Sequence, residues 1–334
     1  MSYPLVTVVI PTFRRPEFLP RAVRSALEHL GEGVEVIVVP NGGDDSWLQS
    51  MTLFKADPRV RIEPIEPGNV NMARNHGLRL ARGKYLRFLD DDDYLLPAAG
   101  KQVNMLESEQ AEVCSGRLAS MDQDGVDHGL LGFPDTDDFV CAAVSHTGFR
   151  LLTANVFLRS LLENLEWDVD VDRAEDYVWM INLAACREWR WTHLDAPVGV
   201  WFQHNRHRRG LRAALLAPMN RREETVIARL LTLHDRLLES GRDTPQRDAA
   251  IASALWHYAH RGFPYRPFRW YAIARRAVDM SPGSRPDSHA YQRGVLRKVP
   301  PVMAECALWP ARRLTRLYRD IRRTLTDREY VRKL

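Results

Sequence analysis

Long hydrophobic runs are missing from this chain: no apolar stretch approaches the roughly 18 residues that a membrane-spanning helix needs. The N-terminus enters the strand-like Leu5-Val6-Thr7-Val8-Val9-Ile10 without a signal-peptide pattern. Both observations lead to the expectation of a cytoplasmic protein. Cysteine is scarce too. Cys114, Cys141, Cys186 and Cys306 are scattered without a CxxC pair, which argues against a zinc site or a disulfide frame and leaves reduced thiols. No glycine-rich phosphate loop follows the first strand, as a nucleotidyltransferase would require. Internal repeats and low-complexity tracts are absent.

What is there is an ordinary globular composition of 334 residues, 45% hydrophobic and 27% charged, long enough for a large domain and an appended one. The formal net charge of +4 hides an asymmetry. From Arg261 onward 18 Lys+Arg face 6 Asp+Glu, so an acidic front is followed by a basic tail suited to an anionic partner.

The sharpest local feature is four consecutive aspartates, Asp90 to Asp93, directly after the apolar Tyr85-Leu86-Arg87-Phe88-Leu89. Four like charges in one turn repel unless they are solvated, partly protonated or bound to a hard divalent cation. In open α/β sheets the ligand crevice lies outside the carboxyl ends of the strands, which is where this run falls.

The first hundred residues alternate strand and helix signals. The spacing predicts strands at Val6–Ile10, Val34–Val39, Arg59–Ile62 and Tyr85–Leu89, with helices at Pro16–Leu30, Ser46–Lys55 and Val70–Ala81. This is the rhythm of an α/β fold, a mostly parallel sheet with helices on both faces. A strand at Glu112–Ser120, a Gly/Asp-rich loop to about Asp138, a helix from near Asp176 and strands at Trp189–Leu194 and Val198–Phe202 follow. Beyond Gly210 the pattern turns helical, at Arg222–Glu239 and Thr244–His260. A linker containing Pro264, Pro267, Pro282 and Pro286 leads to a last helix at Ala311–Leu325. The expected domains are 1–210 and a helical, basic 211–334.

Five motifs stand in order: Val9-Ile10-Pro11-Thr12-Phe13-Arg14-Arg15, Val38-Val39-Pro40-Asn41-Gly42, Ala73-Arg74-Asn75-His76-Gly77, Leu89-Asp90-Asp91-Asp92-Asp93 and Ala174-Glu175-Asp176-Tyr177. Over residues 4 to 210 the chain resembles the inverting nucleotide-sugar glycosyltransferases of the GT-A fold, family 2. The resemblance implies a donor site of Pro11, Phe13, Arg15, Asn41, Arg74, Asp90 and Asp91, with Phe13 stacking on the base and Asp90 or Asp91 on the ribose. Asp92 would ligate Mn²⁺ or Mg²⁺ on the diphosphate, and His204 would reach the metal or diphosphate. Asp176, preceded by Glu175, takes the place of the general base, and the alternative is that both merely cap a helix. Arg74 points toward the nucleotide or serves as an intrahelical ion-pair partner.

One departure concerns the base: Pro40-Asn41 stands where many relatives carry two aspartates, which leaves open whether the donor is a UDP-, dTDP- or GDP-sugar. The acceptor implied is a glycan or a lipid-linked oligosaccharide. In the last helix Leu314, Leu317, Tyr318, Ile321 and Leu325 form a stripe opposite Arg312, Arg313, Arg316, Arg319, Arg322 and Arg323. Such a helix either lies peripherally on the anionic inner face of a membrane or docks on the body with its arginines in water. Nucleic acid is not an expected partner, since no binding motif accompanies the basic tail. The rival to an enzyme is a nucleotide-sugar-binding scaffold of the same fold without catalysis.

Overall fold

The computed structural model describes residues 4–204, 221–292 and 295–331, with side chains in the last stretch described as far as 318. Two compact units divide the chain, Met1–Arg206 and His207–Leu334.

The first unit runs β1 (Val6–Thr12), α1 (Leu19–Leu30), β2 (Val34–Pro40), α2 (Trp47–Ser50), β3 (Val60–Ile62), α3 (Val70–Leu80) and β4 (Tyr85–Phe88). It continues with β5 (Tyr94–Leu95), α4 (Ala99–Ser108), β6 (Val113–Asp122), β7 (Asp127–Leu131), α5 (Phe139–Ala143), β8 (Asn155–Leu158), α6 (Glu175–Cys186) and β9 (Trp191–Gln203). One nine-stranded sheet has the order β3-β2-β1-β4-β8-β6-β9-β5, with β7 hydrogen-bonded to β6. The half from β3 to β4 is parallel throughout. Beyond β4 the sheet is mixed, because β8 runs antiparallel to both β4 and β6.

Both faces are covered, which is why β1 and β2 are buried along their whole length and carry apolar residues without alternation. Val6, Val8 and Ile10 join Leu19, Val23 and Leu27 of α1 and Val103 and Leu106 of α4 in one core. On the other face α3 comes so near that a Cβ on Gly77 would lie 2.3 Å from Val9 Cγ1. Only glycine permits that approach, and it draws the neighbouring Arg74 and Asn75 against the sheet.

Several boundaries differ from the sequence expectation. Helix α1 starts at Leu19, with Pro20 in its first turn, while Pro16 lies in the preceding turn. The Gly/Asp-rich loop contains the edge strand β7. The two strands expected between Trp189 and Phe202 are one strand, β9. Register shifts about Arg117 absorb the Asp195–Pro197 interruption, as a bulge does.

The second unit is helical: α7 (Arg221–Glu239), α8 (Pro245–Gly262), α9 (Pro267–Met280), α10 (His289–Gln292) and α11 (Pro301–Val331). The proline-rich linker is therefore partly a helix. Pro267 opens α9 at a position where the missing N–H costs nothing. Helix α11 begins ten residues before the expected Ala311 and passes through Pro310. The side chains of Arg319, Ile321, Arg322, Arg323 and Leu325 lie outside those described.

Candidate active site

Strands β1, β2 and β4 end side by side, and the aspartate run leaves the last of them. The four carboxylates do not form one cluster. Asp91 and Asp93 are buried, whereas Asp90 and Asp92 are more open. Asp91 accepts from Thr12 Oγ1 at 2.7 Å and from Arg15 at 2.9 Å. Asp93 accepts from Thr153 Oγ1 at 2.7 Å and from the Phe202 N–H at 3.0 Å. Burial pushes Asp91 up to about 7 against the opposing charge of Arg15, and burial together with Asp92 and Asp90 raises Asp93 well above the carboxylate range. Asp92 is also taken from water, but the His204 hydrogen bond and the Arg15 charge outweigh that penalty and hold it below its ordinary value. Repulsion is thus relieved by sorting the carboxylates into a buried pair and a more open pair.

Arg15 spans Asp91 and Asp92, at 2.9 and 2.6 Å. On the far side of Asp92, His204 Nε2 lies 2.9 Å from Oδ2. Arg21, a residue the sequence reading did not single out, donates to the Asp92 carbonyl at 2.8 Å. Its guanidinium sits 4.3 Å above Tyr94 and 4.0 Å above Phe202. Phe18 packs 4.4 Å from the His204 ring. Arg21 and Phe18 face this corner because α1 follows β1 directly, and no motif marks them.

Asp176 is the second residue of α6. The helix has no side-chain cap, and Ala174 before it is in the left-handed region at φ 57°. Its carboxylate goes elsewhere: Arg74 Nη1 lies 3.1 Å away, while Nη2 of the same guanidinium donates to Asp90 at 2.9 Å. Arg74 is buried and lies 4.4 Å over the Trp167 ring. Trp167 stacks on Trp179 of α6 at 4.6 Å, and Phe88 at the end of β4 meets both edge-on. This aromatic block fixes α6 against β4, so the positions of Asp176 and Asp90 are set together. Asn75 clamps the Trp167 backbone with both amide atoms, at 3.0 and 2.7 Å. Burial pushes Asp176 up to about 8, Arg74 opposes, and Asp90 and Glu175 add to the rise.

At the end of β2, Asn41 Nδ2 donates to the Thr12 carbonyl at 2.9 Å, while its buried Oδ1 has no hydrogen-bond partner. An aspartate could not donate to that carbonyl. The asparagine is thus anchored on one side and offers only an acceptor on the other. Gly42, at φ +75°, lets Phe13 close over it, since a Cβ there would lie 2.9 Å from Phe13 Cε2. Pro11 is buried inside β1 opposite Val39.

Among the described residues no group of three or more His, Cys, Asp or Glu is arranged to hold a metal alone. The donor set nevertheless suits a cation that brings its own ligands. The Asp92 carboxylate and the His204 imidazole lie 2.9 Å apart, so both could serve one Mg²⁺ or Mn²⁺ whose shell phosphate oxygens and water would complete.

Residues 7–163 match the model of Glycosyl transferase family 2. An uncharacterized glycosyltransferase, EpsJ, of Bacillus subtilis (strain 168) is 28% identical over 198 residues, 55% of this chain and 57% of EpsJ. The poly(ribitol-phosphate) beta-glucosyltransferase of Bacillus spizizenii is 26% identical over 185 residues, 53% of this chain and 29% of that enzyme. Several curated relatives are matched over only 10% to 65% of their own length. Among solved structures, S. aureus TarS 1-349 in complex with UDP-GlcNAc superposes with a TM-score of 0.60 at 16% identity, over 83% of this chain and 82% of that one. That likeness shows the fold, a GT-A-like α/β unit with a helical C-terminal region. Family match and relatives together support a glycosyl transfer function.

Proposed function

We propose that this protein is an inverting glycosyltransferase that moves a sugar from a nucleoside-diphosphate donor to a hydroxyl of a glycan or lipid-linked acceptor. The observation that carries this reading is the tie through buried Arg74 between Asp90, at the end of β4, and Asp176, at the start of α6. A carboxylate able to take a proton is thereby held beside the place where strand ends receive a nucleotide. In the transfer, an acceptor oxygen forms a bond to the anomeric carbon as the bond to the diphosphate breaks. The hydroxyl proton passes to Asp176. Asp92 and His204 would hold a divalent ion that acts as a Lewis acid on the departing diphosphate, and Arg15 adds positive charge beside them.

The unpaired acceptor of Asn41 suits a base that presents a ring N–H, as uracil, thymine and guanine do, and Phe13 supplies an apolar face next to it. The UDP-GlcNAc in the TarS complex supports a nucleotide-sugar donor for this chain as well.

Slow hydrolysis of nucleotide sugars by the purified protein, with and without Mn²⁺, tests the reading. Asp176→Asn is expected to bind the nucleoside diphosphate as the wild type does and to lower turnover by about two to four orders of magnitude. Donor binding with no turnover in the wild type would support the non-catalytic scaffold instead. Near-normal turnover in Asp176→Asn would remove Asp176 as the base.

A further inference from the structure

Helix α11 buries Val302 and Ala304 of its first turn but leaves a second apolar stripe outward. Met303, Leu314, Leu317 and Tyr318 fall on one stripe at helical spacing, and Glu305 and Arg312 lie on the other side. An amphipathic helix on a globular unit normally buries the first set and wets the second. Here Glu305 is fully buried, accepting from His260 at 2.5 Å, from Tyr291 at 2.7 Å, and from Arg312, which also donates to the His260 carbonyl at 2.6 Å. Met303, Leu314 and Tyr318 are 63%, 67% and 64% exposed. Tyr271 of α9, 44% exposed, borders the groove beside Met303 and extends the apolar surface beyond one helix. The expectation of Arg312 in water is thereby corrected. Its charge is committed to Glu305, and the helix cannot roll to hide its leucines without breaking that bond.

An exposed apolar patch of this kind marks a docking surface, and charge decides what docks. The chain from Arg261 onward carries 18 basic against 6 acidic residues, with Arg313 and Arg275 beside the patch. A second copy would bring the same positive charge to the contact and be repelled. We propose that this face of α11, with Tyr271, rests on an anionic lipid bilayer, its leucines and tyrosines at the acyl boundary and the surrounding arginines among the headgroups. Among the described residues no helix is long and apolar enough to cross a membrane. The inference does not depend on the glycosyl transfer reading.

Flotation of the full chain with phosphatidylglycerol vesicles and with phosphatidylcholine vesicles, at low and moderate salt, is the experiment. The wild type is expected to float with the anionic vesicles alone, less at higher salt. The double variant Leu314→Ser/Leu317→Ser should lose roughly tenfold or more of its partitioning, and Tyr318→Ser a smaller share. All three side chains are exposed, so melting temperature and nucleoside diphosphate affinity should stay at wild-type values. Failure of the wild type to float at low salt overturns the proposal. So does unchanged flotation of a folded double variant. A dimer in sedimentation that the same substitutions dissociate would assign the face to a second copy and equally overturn it.

Discussion

Glu305 in the helical unit and Asp176 in the α/β unit are both largely withdrawn from water, yet they are furnished in opposite ways. Glu305 takes hydrogen bonds from His260, Tyr291 and Arg312. Asp176 has one cation at 3.1 Å and no well-directed hydrogen bond on that oxygen, with 22% of its side chain open. A carboxylate that holds helices together is saturated with donors, and its charge is spent. One that is left short of donors keeps a high affinity for a proton, which is the property a general base needs. The aspartate run divides the other way: burial raises the inward-bonded Asp91 and Asp93, whereas His204 and Arg15 hold the more open Asp92 below its ordinary value.

If that contrast is functional, substitutions in the two units should separate cleanly. The largest expected effect is at Asp92. Asp92→Ala should weaken nucleoside diphosphate binding in the presence of Mn²⁺ by about 3 kcal/mol, roughly 150-fold, and abolish its dependence on the ion. Calorimetry on both proteins with and without chelator measures this, and equal affinity in excess chelator would show that no metal takes part. Next comes Glu305→Gln, expected to cost about 1–3 kcal/mol of stability through donors left unpaired, with turnover per folded molecule unchanged. Chemical denaturation paired with hydrolysis assays would reveal a loss of activity, which would break the division between the units.

The smallest effect is on the pH profile of stability. Asp91, Asp93 and Asp176 have folded values above the ordinary 3.8, at about 7, well above it and about 8. Between their unfolded and folded values the folded state holds more protons, so stability falls as pH rises from about 5 to 8. The lowered carboxylates Glu35, Asp44, Asp57, Asp92, Glu107 and Asp122 act only at and below the ordinary acid range and do not oppose this. Melting temperature without divalent ion should therefore decline across that window, less steeply in Asp176→Asn. A flat profile would mean that these carboxylates are ionised throughout.

The parallel half of the fold was legible because each element announces itself: β-branched runs, helical periodicity, and the aspartates at a strand end. The strands β5, of two residues, and β8, of four, are too short to carry a period, and their pairing is decided by distant partners. The candidate site divides along the same line. Asp90 to Asp92, Asn41 and Asp176 stand in local motifs, whereas Arg21 is brought to Asp92 by contacts 71 residues apart in sequence, which no local pattern records. A helical wheel alone sets Arg312 on a solvent-facing side. Its partner His260, 52 residues earlier, lies outside any such wheel.

One guanidinium serving two carboxylates makes Arg74 a point of thermodynamic linkage. Whatever draws Asp90 toward a ligand alters the field that Arg74 exerts on Asp176, and reciprocity requires that a proton on Asp176 change the affinity for that ligand by the same factor. Nucleotide affinity and proton uptake are therefore two readings of a single coupling, visible as protons exchanged with buffer when the ligand binds.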